Sequence, residues 1–292
     1  MEGIMNKQGA GKVLRSRAVT VQLVLLSILF CLEVEAETET TEQTHTYNQP
    51  KIFPIKVTQG VAVDGGFFYA ISNTRIDKCD KQTGEVVATW AADKRRAAQE
   101  HFKHLNSGVV IGNKLYAAHS RFPIAPNDSS VEIFELTSDS LKHMQTIPMP
   151  AGHGSLTWID RHKDGSWWMS YAVYGKTKNK QTKLIKYRYE DGQFSELKTY
   201  SFPNEVVAKW GSMSCSGGSW GPDGLLYTTG HDHAEAYVLD IDAEGGLKYL
   251  RTEKDMGFYG QGIAWDRFAK AAVLWGIVKN KKVCATRVAA IK

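Results

Sequence analysis

Gln59-Gly60-Val61-Ala62-Val63-Asp64, then the Gly65-Gly66 turn, then Phe67-Phe68-Tyr69-Ala70: a small polar residue, a glycine, a short apolar strand, a turn and a second, aromatic-rich strand. The same order returns as Ser107-Gly108-Val109-Val110-Ile111 with Lys114-Leu115-Tyr116-Ala117, and as Gly154-Ser155-Leu156-Thr157-Trp158-Ile159-Asp160 with Trp167-Trp168-Met169-Ser170. Ser216-Gly217-Gly218-Ser219-Trp220 with Leu225-Leu226-Tyr227-Thr228, and Gln261-Gly262-Ile263-Ala264-Trp265-Asp266 with Ala272-Val273-Leu274-Trp275, complete the series. Hairpins that recur about every 45–60 residues are the signature of a β-propeller, because a lone four-stranded sheet leaves apolar faces that only its neighbours can cover.

Outer strands follow the hairpins, as in Ser130–Leu136 with Lys142–Ile147 and Lys183–Tyr189 with Glu196–Tyr200. The sequence therefore predicts an all-β fold, a five-bladed β-propeller forming a single domain over residues 51–292. After Trp275 the last repeat holds only one more strand, Lys282–Val288, and Lys51–Val57 is placed to supply the missing fourth, closing the ring and removing an open edge. Two stretches break the strand pattern. Ala91–His104, rich in Ala, Lys, Arg, Gln and Glu, and Pro203–Trp210 read as short inserted helices that cap one rim.

Upstream, Lys7, Lys12, Arg15 and Arg17 precede an apolar run from Ala18 to Leu32, and Val34-Glu35-Ala36 offers small residues for cleavage. This is a signal-peptide pattern over residues 1–36, and about 15 residues fall short of the roughly 20 that span a bilayer. The expected product is secreted or periplasmic, without a stable membrane anchor, and starts with a disordered linker over 37–50. Cys79, Cys215 and Cys284 remain in it. Cys79 and Cys284 hold similar places in the first and last repeats and form the expected disulfide, with three buried thiols as the alternative. Asn127-Asp128-Ser129 is an N-glycosylation acceptor, which in a eukaryote would make the chain a glycoprotein. A hydrophobic share of 42%, a charged share of 23% and a net charge of only +5, with no basic stripe, exclude disorder and nucleic-acid binding. A monomer is expected.

The start of a blade's first strand and the end of its second meet at one rim, where the ligand site is expected near the axis. Strand starts deliver Gln59, Asn106, Ser107, His153, Ser216 and Gln261, and second-strand ends deliver His119, Tyr171, His231 and Asp232. His119, His153 and His231 thus come from separate blades, and three readings of them stay open. They hold one divalent metal ion, with Asp232 as a ligand or orienting carboxylate; they act without metal as general base and oxyanion partner; or they satisfy hydrogen bonds around a water-filled axis. Gly217-Gly218-Ser219-Trp220-Gly221 matches the string of hydrolase nucleophile elbows, but a Pro-Asp-Gly turn follows where a helix is required. Trp158, Trp220 and Trp265 recur at one repeat position and read as blade packing. Lys176–Lys183 reads as a solvated loop.

Thr58-Gln59-Gly60-Val61 and Gly262-Ile263-Ala264-Trp265-Asp266 resemble the first and last blades of the plant and bacterial type of glutaminyl-peptide cyclotransferase, a secreted five-bladed propeller. The likeness covers most of 51–292, and its motifs are shared with lactonase-like and strictosidine-synthase-like propellers. It implies an acid/base glutamate just before the glycine of the second blade. The matching positions here are Asn106 and Ser107, which exchange no proton near neutral pH. Lactonase-like propellers imply an axial calcium, but Gln59, Asn106 and Gln261 bring few acids to the rim, so a softer metal or none suits the imidazoles better. Two functions follow as expectations: an enzyme of hydrolase, lyase or cyclase type acting on a small polar molecule or a peptide terminus, or a non-catalytic extracellular binding or matrix protein.

Overall fold

A computed structural model describes residues 45–290 apart from 94 and 280. The signal-peptide segment and the linker as far as residue 44 lie outside the described residues. Within them the chain is nearly all strand, in five antiparallel sheets. Blade one is Gly60–Val63, Phe67–Ser72, Arg75–Asp80 and Val86–Ala91; blade two is His104–Ile111, Lys114–Ser120, Ser129–Leu136 and Leu141–Pro148. Blade three is Ser155–Arg161, Trp167–Ala172, Lys183–Glu190 and Gln193–Ser201; blade four is Gly217–Trp220, Leu226–Thr229, Glu235–Ile241 and Leu247–Lys254. Blade five orders Ala264–Trp265, Val273–Ile277 and Lys282–Ala290, and Lys51–Lys56 pairs antiparallel with this last strand, Ile52 opposite Cys284. His45–Tyr47 also pairs with it, so the predicted disordered linker ends in a strand.

Strand alternation turns alternate residues to the two faces of each blade, and the apolar ones form a core at each blade boundary. Ile71, Ile76 and Trp90 of blade one meet Leu115, Ala117 and Phe134 of blade two; Tyr116, Val131 and Ile133 of blade two meet Trp167, Met169 and Ile185 of blade three. Equivalent clusters join blades three and four, four and five, and five and one. Trp158, Trp220 and Trp265 are all buried in this packing.

The inner strands touch in sequence, and the fifth touches the first. They meet through small residues: a Cβ on Gly262 would lie 2.7 Å from Ser107 Cβ and 2.8 Å from Gly60 Cα, and one on Gly60 would lie 2.8 Å from Ser107 Cα. The expected water-filled axis is thus closed at this level. The glycines that begin the strands admit neighbouring backbones, not a ligand.

Three other expectations are corrected. Among its described residues Ala91–His104 is mostly turn and irregular backbone around a single 3-10 turn, Ala97–Gln99, whereas Pro203–Trp210 does hold a short helix, the one turn Asn204–Val207. The loop after Lys176 contains a second 3-10 turn, anchored where the buried Asn179 donates to Gly211 O at 2.8 Å and Val207 O at 3.3 Å. Cys79, Cys215 and Cys284 are all free and buried, so the alternative of three buried thiols holds in place of the disulfide. The period of two explains why Cys79 and Cys284 do not pair: Val283 and its neighbour Ala285 face the core that contains Cys79, whereas Cys284 points to the opposite face, among Met256 and Phe258.

Candidate functional site

A cavity of about 710 Å³ lies between blade two and the segment that leads into it from blade one. The segment joining the blades supplies Glu100, His101 and Lys103; the end of the second strand of blade two supplies His119; its outer strands supply Ser129, Ser130, Thr146 and Pro148. Arg121, Ile124 and Asp128 form the wall from the loop that follows His119, which contains two cis-proline bonds. Trp90 packs beneath, its ring 4.8 Å from Phe102 and 4.9 Å from Phe134.

Below the cavity lies Glu132, fully buried on the third strand of blade two, on the same face as Phe134 and Leu136. An ionised carboxylate in such a place must have its lone pairs occupied. Ser130 Oγ donates to Oε1 at 2.6 Å and His101 Nε2 lies 3.1 Å from the same oxygen; Thr146 Oγ1 donates to Oε2 at 2.7 Å and His143 Nε2 lies 2.8 Å from it. Burial alone would raise the Glu132 pKa, but the bonds from His101, His143 and Ser130, with His119 nearby, hold it far below the usual carboxylate range. An anion here makes both His101 and His143 donors through Nε2. Among the described residues Nδ1 of His101 has no hydrogen-bond partner, and this ring lines the cavity.

His119 joins the network indirectly. Its Nδ1 lies 2.8 Å from Ser130 Oγ, whose own proton is committed to Glu132, and its Nε2 accepts from the Lys103 backbone N–H at 3.2 Å. This assigns the neutral tautomer protonated at Nδ1. Burial pushes its pKa down to about 4, with Glu132 opposing and His101 and His104 adding to the shift. The ordinary value is 6.5, so the unfolded chain binds the proton first on acidification. The stability owed to neutral His119 is therefore complete above pH 6.5 and is lost as the pH falls through about 4. Urea unfolding should show it: replacing His119 with Asn flattens the fall in stability over that window by about 3 kcal/mol. An unchanged slope would contradict the assignment. Glu132 adds loss of the same sign at lower pH.

The other sequence-predicted residues do not gather around His119. His153 Nε2 pairs with Glu196 at 2.7 Å and its ring packs 5.1 Å from that of Tyr171, which is buried and bonded to Tyr187 Oη at 3.0 Å. His231 pairs with the adjacent Asp232 at 2.7 Å and lines a separate cavity of about 360 Å³ with Gln59 and Gln261. Asn106 is spent on Leu156 O at 2.8 Å, Ser107 closes the axis, and Ser216 pairs with Thr229 through its backbone. Of the three readings of His119, His153 and His231, the shared metal is not supported: they lie apart, and no group of three potential ligands is placed for a metal among the described residues. Asn127 Nδ2, the atom that would carry a glycan, donates to Ser155 Oγ at 2.5 Å. Sequence reasoning missed Glu132, His101 and His143. The available signal was Glu132 itself, an acid within the apolar run Val131–Phe134.

No family model and no curated protein matches the sequence. Among solved structures, the PQQ-bound aldose sugar dehydrogenase from Streptomyces coelicolor is 12% identical, with 85% of this chain covering 99% of that one at a TM-score of 0.50. A putative glucose dehydrogenase from Thermus thermophilus is 12% identical, 84% covering 100%, at 0.48, and a putative gluconolactonase is 12% identical, 83% covering 92%, at 0.46. At such identity the likeness shows the fold alone: the chain is a β-propeller, and its five sheets make it five-bladed.

Proposed function

We propose that the chain is an enzyme that carries out acid–base chemistry on a small polar molecule in the cavity between blade two and the segment that leads into it. The observation that carries this reading is the placement of His101, whose Nε2 is tied to the buried Glu132 while the ring lines a cavity of about 710 Å³. That volume falls within the usual range for small-molecule sites. With Nε2 as donor, the lone pair is on Nδ1, ready to take a proton from a substrate or a water. The imidazolium that results is stabilised by the Glu132 anion and returns the proton to the leaving atom. Hydrolase and lyase reactions both use this cycle. Lys103 and Arg121, balanced by Glu100 and Asp128, give the cavity polar contacts of both signs.

Glutaminyl cyclisation is not part of the proposal, because the positions corresponding to the family's glutamate are Asn106 and Ser107, both buried in structural roles. One observation favours the second reading, a binding protein without chemistry: Glu132 has four partners without any ligand, so the network is complete as it stands. Turnover separates the two. Across a panel of small esters, lactones and hydroxy acids, His101→Ala should lower any turnover by at least about a hundredfold while circular dichroism stays unchanged. Turnover that survives this substitution would overturn the acid–base reading.

A further inference from the structure

On the opposite rim, where the first hairpin of each blade turns, Arg161, His162 and Lys163 of blade three and Arg267 of blade five line a cavity of about 280 Å³ with Trp220 and Ile111. No carboxylate lines it. Two nearby acids are already engaged: Asp160 accepts both bonds from Arg267, at 2.7 and 2.8 Å, and Asp164 holds His162 Nδ1 and Lys186 Nζ, each at 3.1 Å. Asp223, in the blade-four turn, binds Tyr227 Oη at 2.7 Å. Arg161 donates only to the Gly165 carbonyl, at 3.3 Å, and Lys163 has no ion-pair partner among the described residues. Two positive charges are therefore left uncompensated in one concave site.

The hairpins make room for them. Lys163 Nζ is 3.3 Å from where a Cβ of Gly224 would be, and Arg161 Nη2 is 3.6 Å from that of Gly165. Both glycines have positive φ, 85° and 88°, so the turns that admit the cationic head groups are ones that glycine alone adopts readily. His162 packs against Trp220, ring centroids 4.5 Å apart and planes tilted by 56°, and so gives the site a partly apolar wall.

We propose that this cavity binds the phosphate group of a phosphate monoester, with Arg161 and Lys163 as its principal contacts and Arg267 in support. A dianion matches the two uncompensated charges, whereas a sulfate ester brings one charge, and arginine presents its donors as a fork suited to such oxygens. The site is remote from His101 and independent of the acid–base reading.

Isothermal titration of the full chain at constant ionic strength and about pH 7.5, where the monoester is mostly dianionic, tests it with glucose 6-phosphate, glucose 6-sulfate and glucose as probes. Saturable binding of the phosphate is expected, with the sulfate at least about tenfold weaker and no binding of glucose. The Arg161→Gln/Lys163→Gln double variant should lose at least about tenfold in affinity, and His101→Ala should bind as the wild type does. Lys163→Gln, at an exposed position, gives the same direction of change should the double variant misfold. Absence of saturable binding, or undiminished affinity in the variants, would overturn the site. Equal affinity for phosphate and sulfate would overturn its assignment to a dianion.

Discussion

Glu132→Gln is expected to lower the unfolding free energy by about 3 kcal/mol at neutral pH. Both carboxylate oxygens are buried and each is approached by two donors, Ser130 and His101 on one, Thr146 and His143 on the other. The amide replaces one oxygen with an NH2 group that points at donors. Two donor groups then lose their acceptor at a buried carboxylate, and each such loss costs about 1–3 kcal/mol. His119 is affected too, because the Ser130 proton that fixes its tautomer no longer has a fixed acceptor. Urea unfolding monitored by circular dichroism is the check. A change under about 1 kcal/mol would mean that the network is looser than these distances imply.

Gly262→Ala should cost a similar amount, roughly 3 kcal/mol, for an unrelated reason. The new methyl would be 2.7 Å from Ser107 Cβ, 2.8 Å from Ser107 Oγ and 2.8 Å from Gly60 Cα. Ser107 Oγ can rotate away, but Ser107 Cβ and Gly60 Cα are fixed to the inner strands of blades two and one and move only with their backbones. The ring must widen, and widening it loosens packing at the blade boundaries. Gly66→Ala is the control: nothing lies within 4 Å of its added Cβ, and the expected change is within about 0.5 kcal/mol. Thermal melts of the two variants side by side decide it. An equal effect in both would show that the axis is not close-packed.

The contrast between these glycines shows what the sequence could convey. A repeated hairpin is local information, since alternation and turn residues lie within a few positions of each other, and so the five blades were legible from Gly60 to Trp275. What the repeat does not reveal is which face each residue takes when two blades meet. Cys79 and Cys284 occupy similar repeat positions yet face different blade boundaries. Gly60 and Gly262 recur at one repeat position, and only the closed ring shows that they let neighbouring backbones touch. His119 was found because it ends a strand, but its partners come from other parts of the chain. His101 lies in a stretch whose composition suggests helix but which forms only a 3-10 turn and the turn that follows it, with packing of Phe102 against Trp90 outweighing propensity. Glu132 was visible only as an anomaly, a charge within an apolar strand, which is the usual mark of a buried polar group with arranged partners.

Turnover of wild type, His101→Ala and Glu132→Gln on the same substrates tests the central claim most directly. If His101 moves the proton and Glu132 orients it, both variants lose activity by at least about a hundredfold, and His101→Ala retains a melting temperature within a few degrees of the wild type. Full activity in a folded His101→Ala chain would contradict the account and leave the cavity over blade two as a binding site without chemistry.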